Sequence, residues 1–356
     1  MAPEELPPTG PLAPREPTEE QRGRLMALLE ALEDLPRVLV LTHDNPDPDA
    51  LAAAAGLGFL LERVAGVEPT LAFGGIVGRA ENRALIQEMP VQFRRIETLE
   101  GAGKLPVALV DTQPRSGNNS LPAGRIASVI LDHHPMRPET EVATFADVRP
   151  GYGASASMVV EYLRAAELEP ERWLATSLFY GVQSETMDLG RDVSPADVDA
   201  SLFLYPRSDP AAIARIRHAR VPRGYLRSLH AALTRARRHG PVAVVPLGGM
   251  DYPDMVAEIA DLFMHVEGVE WTVAVGRYGQ ELLLSLRTYD PRAHAGRLVR
   301  KVIGDRGSAG GHGGLAGGRI NVRSLAEEEA AALRDELLRE LLAELDAPSE
   351  SSELLL

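Results

Sequence analysis

Cysteine is absent from the 356-residue chain, so disulfide bonds, thiolate metal sites and cysteine nucleophiles are excluded together. No apolar run approaches the roughly 20 residues that a membrane-spanning helix needs. The chain also begins without the charged-then-apolar pattern of a secretion leader. Residues 1–17 are polar and rich in proline, which predicts a disordered tail. We therefore expect a soluble, cytoplasmic protein that does not bind a membrane.

The net charge is −14, but the basic residues are concentrated in two segments. Residues 206–239 hold nine arginines against one aspartate, and residues 285–320 hold six arginines and one lysine against two aspartates. This distribution disfavours a broad basic face for duplex nucleic acid, whereas it permits a local anion site. For residues 206–239 a solvated helix face is an equally good interpretation.

Short apolar runs alternate with helical segments in the first half of the chain. Runs at 37–41, 70–73, 107–110 and 128–131 predict strands, and the alanine-rich run at 50–64 predicts a helix. This alternation is typical of an α/β fold with a parallel sheet and helices on both faces. A capping-box spacing at Thr18 and Gln21 predicts the start of an earlier helix.

The second half predicts a smaller C-terminal α/β domain with strands at 242–245, 271–276 and 281–286 around a helix at 254–263. Ser324 and Glu327 have capping-box spacing and predict the start of the last helix. We expect five segments: a disordered tail (1–17), a first α/β domain (18–194), a helical basic connector (195–239), the second α/β domain (240–347) and a tail (348–356).

Acidic residues and histidines follow three predicted strands at the point where each strand ends. The segments are 43–49, Asp111-Thr112 and Asp132-His133-His134. Because the carboxyl ends of neighbouring parallel strands share one crevice, these side chains should converge there. Such a concentration of charge needs cations. Oxygen and imidazole ligands without thiolate suit Mn²⁺, Mg²⁺, Fe²⁺ or Zn²⁺, and the surplus of ligands predicts two divalent ions.

Five motifs follow one another within residues 37–320: His43-x-x-Pro46-Asp47-x-Asp49-Ala50, Asp111-Thr112, Asp132-His133-His134, Gly181-x-x-x-Glu185-Thr186 and Gly310-Gly311-His312-x-x-x-Ala316-Gly317-Gly318. Together and in this order they make the chain resemble the DHH phosphoesterases. The last is similar to the glycine-rich signature of the DHH-associated C-terminal domain. The resemblance makes 18–194 the DHH catalytic domain and 240–347 the substrate-binding domain.

The resemblance also implies roles for the residues of the first three motifs. His43 and Asp47 would bind one ion, Asp49 and His133 the other, and Asp111 would lie between the two as a catalytic ligand. His134 would face the phosphate and supply charge or a proton near the leaving oxygen.

The fourth motif departs from the family pattern, since Glu185 stands where relatives usually carry aspartate. Glutamate reaches one methylene further and can chelate through both oxygens, so we expect it to bind metal. Asp188 is the competing candidate, but only Glu185 fits the Gly-x-x-x-acid-Thr register.

The glycine-rich motif allows backbone N–H groups to approach an anion closely, although a merely flexible loop is the alternative. Similarity to the family suggests that Arg287, Gly310, Gly311 and His312 bind a terminal phosphate or base of the substrate.

Within the family, the compact NrnA type fits this chain best. We expect a manganese-dependent exonuclease acting on short single-stranded oligoribonucleotides (nanoRNA) and dinucleotides such as pApA and pGpG, with 3′-phosphoadenosine 5′-phosphate as a further candidate. The alternatives are a cyclic-dinucleotide or polyphosphate phosphohydrolase and a non-catalytic nucleotide-binding protein. The oligomeric state stays open, with a homodimer as one alternative.

Overall fold

The computed structural model describes residues 14–122, 124–290, 292–348 and 352–355, without the side chain of His312. The described residues form two compact units, which divide between Ala219 and Arg220. The predicted connector at 195–239 is therefore divided between the units. The tails predicted at 1–17 and 348–356 lie partly outside the described residues.

A six-stranded parallel sheet forms the centre of the first unit, as the alternating sequence pattern predicts. Its strands are β1 (Arg37–Leu41), β2 (Glu68–Phe73), β3 (Arg94–Arg95), β4 (Val107–Val110), β5 (Val129–Asp132) and β6 (Phe145–Val148). Their order in the sheet is β3-β2-β1-β4-β5-β6. The strand order reverses between β1 and β4, and open α/β sheets bind ligands outside the carboxyl ends of the strands at such a switch point.

Successive strand residues point to opposite faces of the sheet, so each face needs its own apolar cover. Val38 and Val40 belong to a core with the α-helices, whereas Leu39 and Leu41 belong to a second core on the other face. The described helical residues that pack in that second core, among them Ile96 and Ala102, belong to short 3₁₀ segments. The α-helices of this unit are α1 (Glu19–Glu30), α2 (Pro48–Leu60), α3 (Ala80–Glu88), α4 (Ser155–Ala165), α5 (Arg172–Glu185), α6 (Pro195–Leu204) and α7 (Pro210–Arg217).

The predicted capping box at the start of α1 is confirmed. Thr18 Oγ1 accepts a hydrogen bond from the Gln21 N–H at 3.2 Å, and Gln21 Oε1 accepts one from the Thr18 N–H at 2.8 Å. Two N–H groups that the helix itself cannot satisfy are thereby paired.

Helices α2 and α5 approach each other closely at Gly181. A Cβ atom there would lie 3.1 Å from Ala52 Cβ, 3.2 Å from Pro48 O and 3.3 Å from Asp49 Cα. Two of these neighbours are backbone atoms of the fully buried helix α2, so they cannot move aside easily. Glycine at this position lets α5 pack against the start of α2, directly behind the first motif.

We expect Gly181→Ala to lower the free energy of unfolding by about 1–2 kcal/mol in urea denaturation. Overpacking typically costs about 1–3 kcal/mol, which exceeds the roughly 0.5–1 kcal/mol that alanine gains over glycine within a helix. The matched control is Gly23→Ala in α1, where a Cβ would meet nothing within 4 Å. That control should be stabilising. If both variants were equally stable, the close approach at Gly181 would carry no cost.

The second unit contains a seven-stranded mixed sheet in the order β11-β12-β10-β9-β8-β7-β13. Only β8 and β9 pair in parallel within it. The strands are β7 (Arg237–His239), β8 (Val242–Gly249), β9 (Trp271–Tyr278), β10 (Glu281–Thr288), β11 (Ser308–His312), β12 (Leu315–Asn321) and β13 (Glu353–Leu354), and the helices are α8 (Arg223–Arg235), α9 (Met255–Phe263), α10 (Ala295–Ile303) and α11 (Glu327–Glu344). No helix in the described part of the chain is long and apolar enough to cross a membrane.

The start of the last helix differs from its prediction. Helix α11 has Ala326 as its N-cap, and the Ala326 N–H donates to the Glu329 carboxylate at 2.8 Å. The predicted box at Ser324 and Glu327 therefore does not form. Acidic side chains in the first turn favour the helix N-terminus, so the cluster 327–329 can set the start without a hydroxyl cap.

The glycine-rich segment is a β-hairpin and not a loop. Gly310 in β11 lies opposite Gly317 in β12, and β12 pairs in turn with β10. Because the neighbouring strand supplies hydrogen-bond partners, the tertiary context outweighs the weak strand preference of glycine.

Candidate metal centre

The residues that follow β1, β4 and β5 converge at the switch point of the sheet. His43 Nε2 lies 3.6 Å from Asp47 Oδ2 and 3.5 Å from Asp111 Oδ2. Asp111 Oδ1 lies 3.4 Å from His133 Nε2 and 3.8 Å from His134 Nδ1. Asp111 thus joins two groups that could each hold a metal ion, namely His43, Asp47 and Asp111, and Asp111, His133 and His134.

The backbone turns sharply at Asp111 and directs its carboxylate into this cluster. Its φ of 59° lies in the left-handed region, which aspartate tolerates better than most residues. Its N–H donates to Leu131 O at 2.9 Å, and Ser155 Oγ donates to its Oδ1 at 2.9 Å. Ser155 begins α4 and had no assigned role in the sequence, because a serine at a helix start is usually a cap.

Two histidines have the orientation that metal ligands need. Nδ1 of His43 lies 2.9 Å from Asp44 O, and Nδ1 of His133 lies 3.1 Å from Tyr152 O. A carbonyl oxygen can only accept, so each Nδ1 carries a proton and Nε2 is the nitrogen that a metal ion can bind in place of a second proton. Nε2 of His133 is buried and has no hydrogen-bond partner among the described residues. A divalent ion bound to that nitrogen would satisfy it, so the donor set fits a metal.

Asp49 and Glu185, the two other predicted ligands, lie outside both three-residue groups. The Asp49 carboxylate is buried and accepts hydrogen bonds from the Ser155 and Ala156 N–H groups, both at 2.8 Å. It therefore caps the first turn of α4, while its oxygens retain lone pairs for a metal. Glu185 is the last residue of α5.

The pKa values of three acidic groups are raised by burial and by the negative charge of their neighbours. Burial raises the pKa of Asp49, and the charges of Asp111 and Asp47 raise it further. Burial likewise raises the pKa of Asp111 and of Glu185, with Asp47 contributing to both. The ionised form of each of these groups is therefore disfavoured in the absence of a cation, and a divalent cation would stabilise it.

The same carboxylates raise the pKa values of the histidines. Burial lowers the pKa of His43, but the hydrogen bond and charge of Asp47 outweigh it and raise the pKa to about 10. Asp111 acts in the same direction on His133, whose pKa is raised despite burial. Glu185 and Asp132 add to that increase, which shows that Glu185 contributes to the field of this cluster.

Asp188, the alternative to Glu185, points elsewhere. Its carboxylate pairs with Arg217 of α7, and its side chain is 59% exposed. It belongs to a left-handed turn after α5, in which Met187, Asp188 and Leu189 all have positive φ. The ion pair takes the Asp188 side chain to α7.

Two buried residues without an assigned role in the sequence, Gln113 and Asp132, support His134. Asp132 Oδ1 lies 2.8 Å from His134 Nδ1, and Asp132 Oδ2 accepts from Gln113 Nε2 at 2.6 Å. His134 is the more exposed of the two adjacent histidines, at 35% of its side chain against 7% for His133. The Asp-His-His triplet suggests the first contact, but no sequence signal distinguishes Gln113 from any other amide after a strand.

In the second unit, hydrogen bonds to a carboxylate and to two backbone carbonyls hold the Arg287 side chain. Its Nε donates to Asp261 at 2.7 Å, and Nη1 donates to the carbonyls of Leu286 and Ala316 at 3.1 and 3.2 Å. A Cβ on Gly310 would meet nothing within 4 Å, whereas one on Gly311 would collide with Leu315 O. The His312 side chain lies outside the described residues. Substrate binding by these residues stays a prediction.

Three arginines of the basic segment at 206–239 are neutralised by ion pairs within the first unit. Arg207 pairs with Glu169, Arg215 with Glu88 and Arg217 with Asp188. These three arginines therefore match the interpretation of a solvated, ion-paired helix face.

The chain therefore has an α/β fold with a parallel sheet. Carboxylates and imidazoles meet at the switch point of that sheet and form a candidate divalent-metal centre. Residues 37–182 match the DHH family, N-terminal domain. An uncharacterized protein of Methanocaldococcus jannaschii, MJ1633, is 32% identical over 333 residues, which cover 92% of this chain and 68% of that protein. The chain belongs to the DHH family.

The fold is also similar to a solved structure, an exopolyphosphatase-related protein from Bacteroides fragilis. The TM-score is 0.67 at 15% sequence identity, and the match covers 90% of this chain and 97% of that chain. This likeness shows a shared fold.

Proposed function

We propose that the protein is a metal-dependent phosphohydrolase that cleaves short oligoribonucleotides and dinucleotides. The observation that carries this proposal is the position of Asp111, whose two carboxylate oxygens face two separate groups of ligand atoms. A carboxylate in that position can bind two ions at once, and two ions suit the displacement of one oxygen by another at phosphorus.

The side chains have distinct parts in this reaction. His43, Asp47, Asp111 and His133 would hold the ions, with Asp49 and Glu185 as the remaining proposed ligands. Bound divalent ions, which we propose to be Mn²⁺, would supply a hydroxide at neutral pH and screen the phosphoryl oxygens. His134, held through Nδ1 by Asp132, would contact a phosphoryl oxygen and stabilise the leaving oxygen.

The substrate class rests on the similarity of the five motifs to the NrnA type. In the second unit, Arg287 and the hairpin β11–β12 are the proposed contacts for a terminal phosphate or base. Polyphosphate remains a second candidate because an exopolyphosphatase-related protein shares the fold. We propose single-stranded partners and no duplex, with a homodimer as one alternative for the assembly.

Incubation of the Mn²⁺-loaded protein with a substrate panel tests this function. The panel contains pApA, pGpG, cyclic-di-AMP, 3′-phosphoadenosine 5′-phosphate and polyphosphate, with products separated by chromatography. We expect the linear dinucleotides to be hydrolysed fastest, no hydrolysis in excess chelator, and the strongest recovery with Mn²⁺. Full activity in chelator would overturn the metal mechanism. Turnover of polyphosphate alone would keep the mechanism but change the substrate.

A further inference from the structure

We propose that Gln113 is a positioning residue that keeps Nδ1 of His134 on Asp132 and thereby keeps that ring out of the metal coordination shell. This inference rests on the proposed function, because it concerns the same metal centre. Gln113 lies two residues after Asp111 and is 1% exposed. It belongs to none of the motifs that the sequence shares with the family.

Both histidines of the triplet are near enough to Asp111 to compete for one ion. His133 Nε2 lies 3.4 Å from Asp111 Oδ1, and His134 Nδ1 lies 3.8 Å from the same oxygen. The planes of the two rings are inclined at 59°, with centroids 4.4 Å apart. A difference of 0.4 Å between the two contacts is too small to assign one ring to the metal and the other to the substrate.

The hydrogen bonds of the two rings make the assignment instead. His133 uses Nδ1 for a backbone carbonyl and presents Nε2 to Asp111, whereas His134 uses Nδ1 for the Asp132 carboxylate at 2.8 Å. The nitrogen of His134 that approaches Asp111 is thus the one that is hydrogen-bonded to Asp132. The assignment therefore depends on how firmly Asp132 is held.

Gln113 holds Asp132 through an amide whose orientation is fixed at both ends. Its Nε2 donates to Asp132 Oδ2 at 2.6 Å and to Pro135 O at 3.1 Å. Its Oε1 accepts from the Arg137 N–H and the Thr140 hydroxyl, both at 2.8 Å. A backbone N–H can only donate and a carboxylate can only accept, so the amide cannot be reversed without losing bonds at both ends.

Loss of the Gln113 amide would leave Asp132 Oδ2 without its donor in a buried site. The carboxylate can then rotate to seek another partner and release Nδ1 of His134 toward Asp111. A ring that bound an ion through Nδ1 would lose the position in which Asp132 holds it, and with it the proposed contact to the substrate. The function of Gln113 is therefore to separate the roles of two adjacent histidines.

Gln113→Leu, which keeps the volume but removes the donor, tests this inference by X-ray absorption of the Mn²⁺-loaded protein without substrate. We expect one additional imidazole ligand per protein, and a kcat lowered by about 10- to 100-fold with KM little changed. That range is typical for partners that orient metal-site residues from outside the coordination shell. In Gln113→Leu/His134→Ala the additional imidazole should disappear, with His134→Ala as the matched control.

An unchanged imidazole count in Gln113→Leu would overturn the inference, even if the activity falls. If that variant does not fold, Gln113→Asn takes its place, because it keeps the amide but is one methylene too short to hold Asp132, and the same criterion applies. A parent protein that binds no Mn²⁺ would instead refute the proposed function. The two failures are therefore distinguishable.

Discussion

Asp111→Asn should reduce hydrolysis of the best substrate by at least about a thousandfold. The Asp111 oxygens face His43 on one side and His133 on the other, at 3.5 and 3.4 Å, so one substitution affects both groups of ligands. Metal ions contribute several kcal/mol of transition-state stabilisation, and about 4 kcal/mol corresponds to roughly a thousandfold in rate. The measurement is kcat/KM with saturating Mn²⁺, together with the metal content after dialysis.

The stability of the same variant distinguishes loss of metal from loss of fold. Burial raises the pKa of the Asp111 carboxyl. A carboxyl group whose pKa is raised on folding lowers the free energy of unfolding once the pH exceeds its pKa in the unfolded chain. For aspartate that pKa is about 4. In chelator, Asp111→Asn should thus be at least as stable as the parent. Mn²⁺ should raise the Tm of the parent but not that of the variant, and an equal increase in both would contradict a bridging role.

The position of the site could be predicted from the sequence because it depends on the sheet. Runs of β-branched and apolar residues that each end in acidic residues or histidines place those side chains at one edge of a parallel sheet. The structure brings His43, Asp47, Asp111, His133 and His134 together at that edge. The parallel sheet itself follows from the alternation of strands and helices.

The supporting interactions could not be predicted, because they join residues that are distant in sequence. Asp49 and Ser155 meet only after α4 packs beside α2, and their hydrogen bond spans 106 positions. Gln113 is recognised only by its partners further along the chain, Asp132 at the end of β5 and Thr140 beyond it. The hairpin at Gly310 and Gly317 was missed because glycine composition favours loops, while the strand beside it supplies the pairing.

Glu185→Gln should weaken Mn²⁺ binding at least tenfold and lower kcat, whereas Asp188→Asn should leave both nearly unchanged. Burial raises the pKa of Glu185, and the charges of Asp47 and Asp111 increase it further, so the carboxylate belongs to the same field as the candidate ligands. Partners outside a coordination shell already contribute about 10- to 100-fold to metal affinity, and a ligand should contribute no less.

Asp188→Asn is the matched control because it removes the neighbouring acid and only a partly exposed ion pair with Arg217. Such pairs contribute about 0–1 kcal/mol. Glu185→Asp completes the set: it restores the residue that is usual in the family, so Mn²⁺ affinity and rate should be kept or improved. Isothermal titration with Mn²⁺ measures affinity in all three variants, and kcat is measured at saturating metal. A severe defect confined to Asp188→Asn would transfer the ligand role to Asp188, which requires the left-handed turn after α5 to swing away from Arg217 when metal binds.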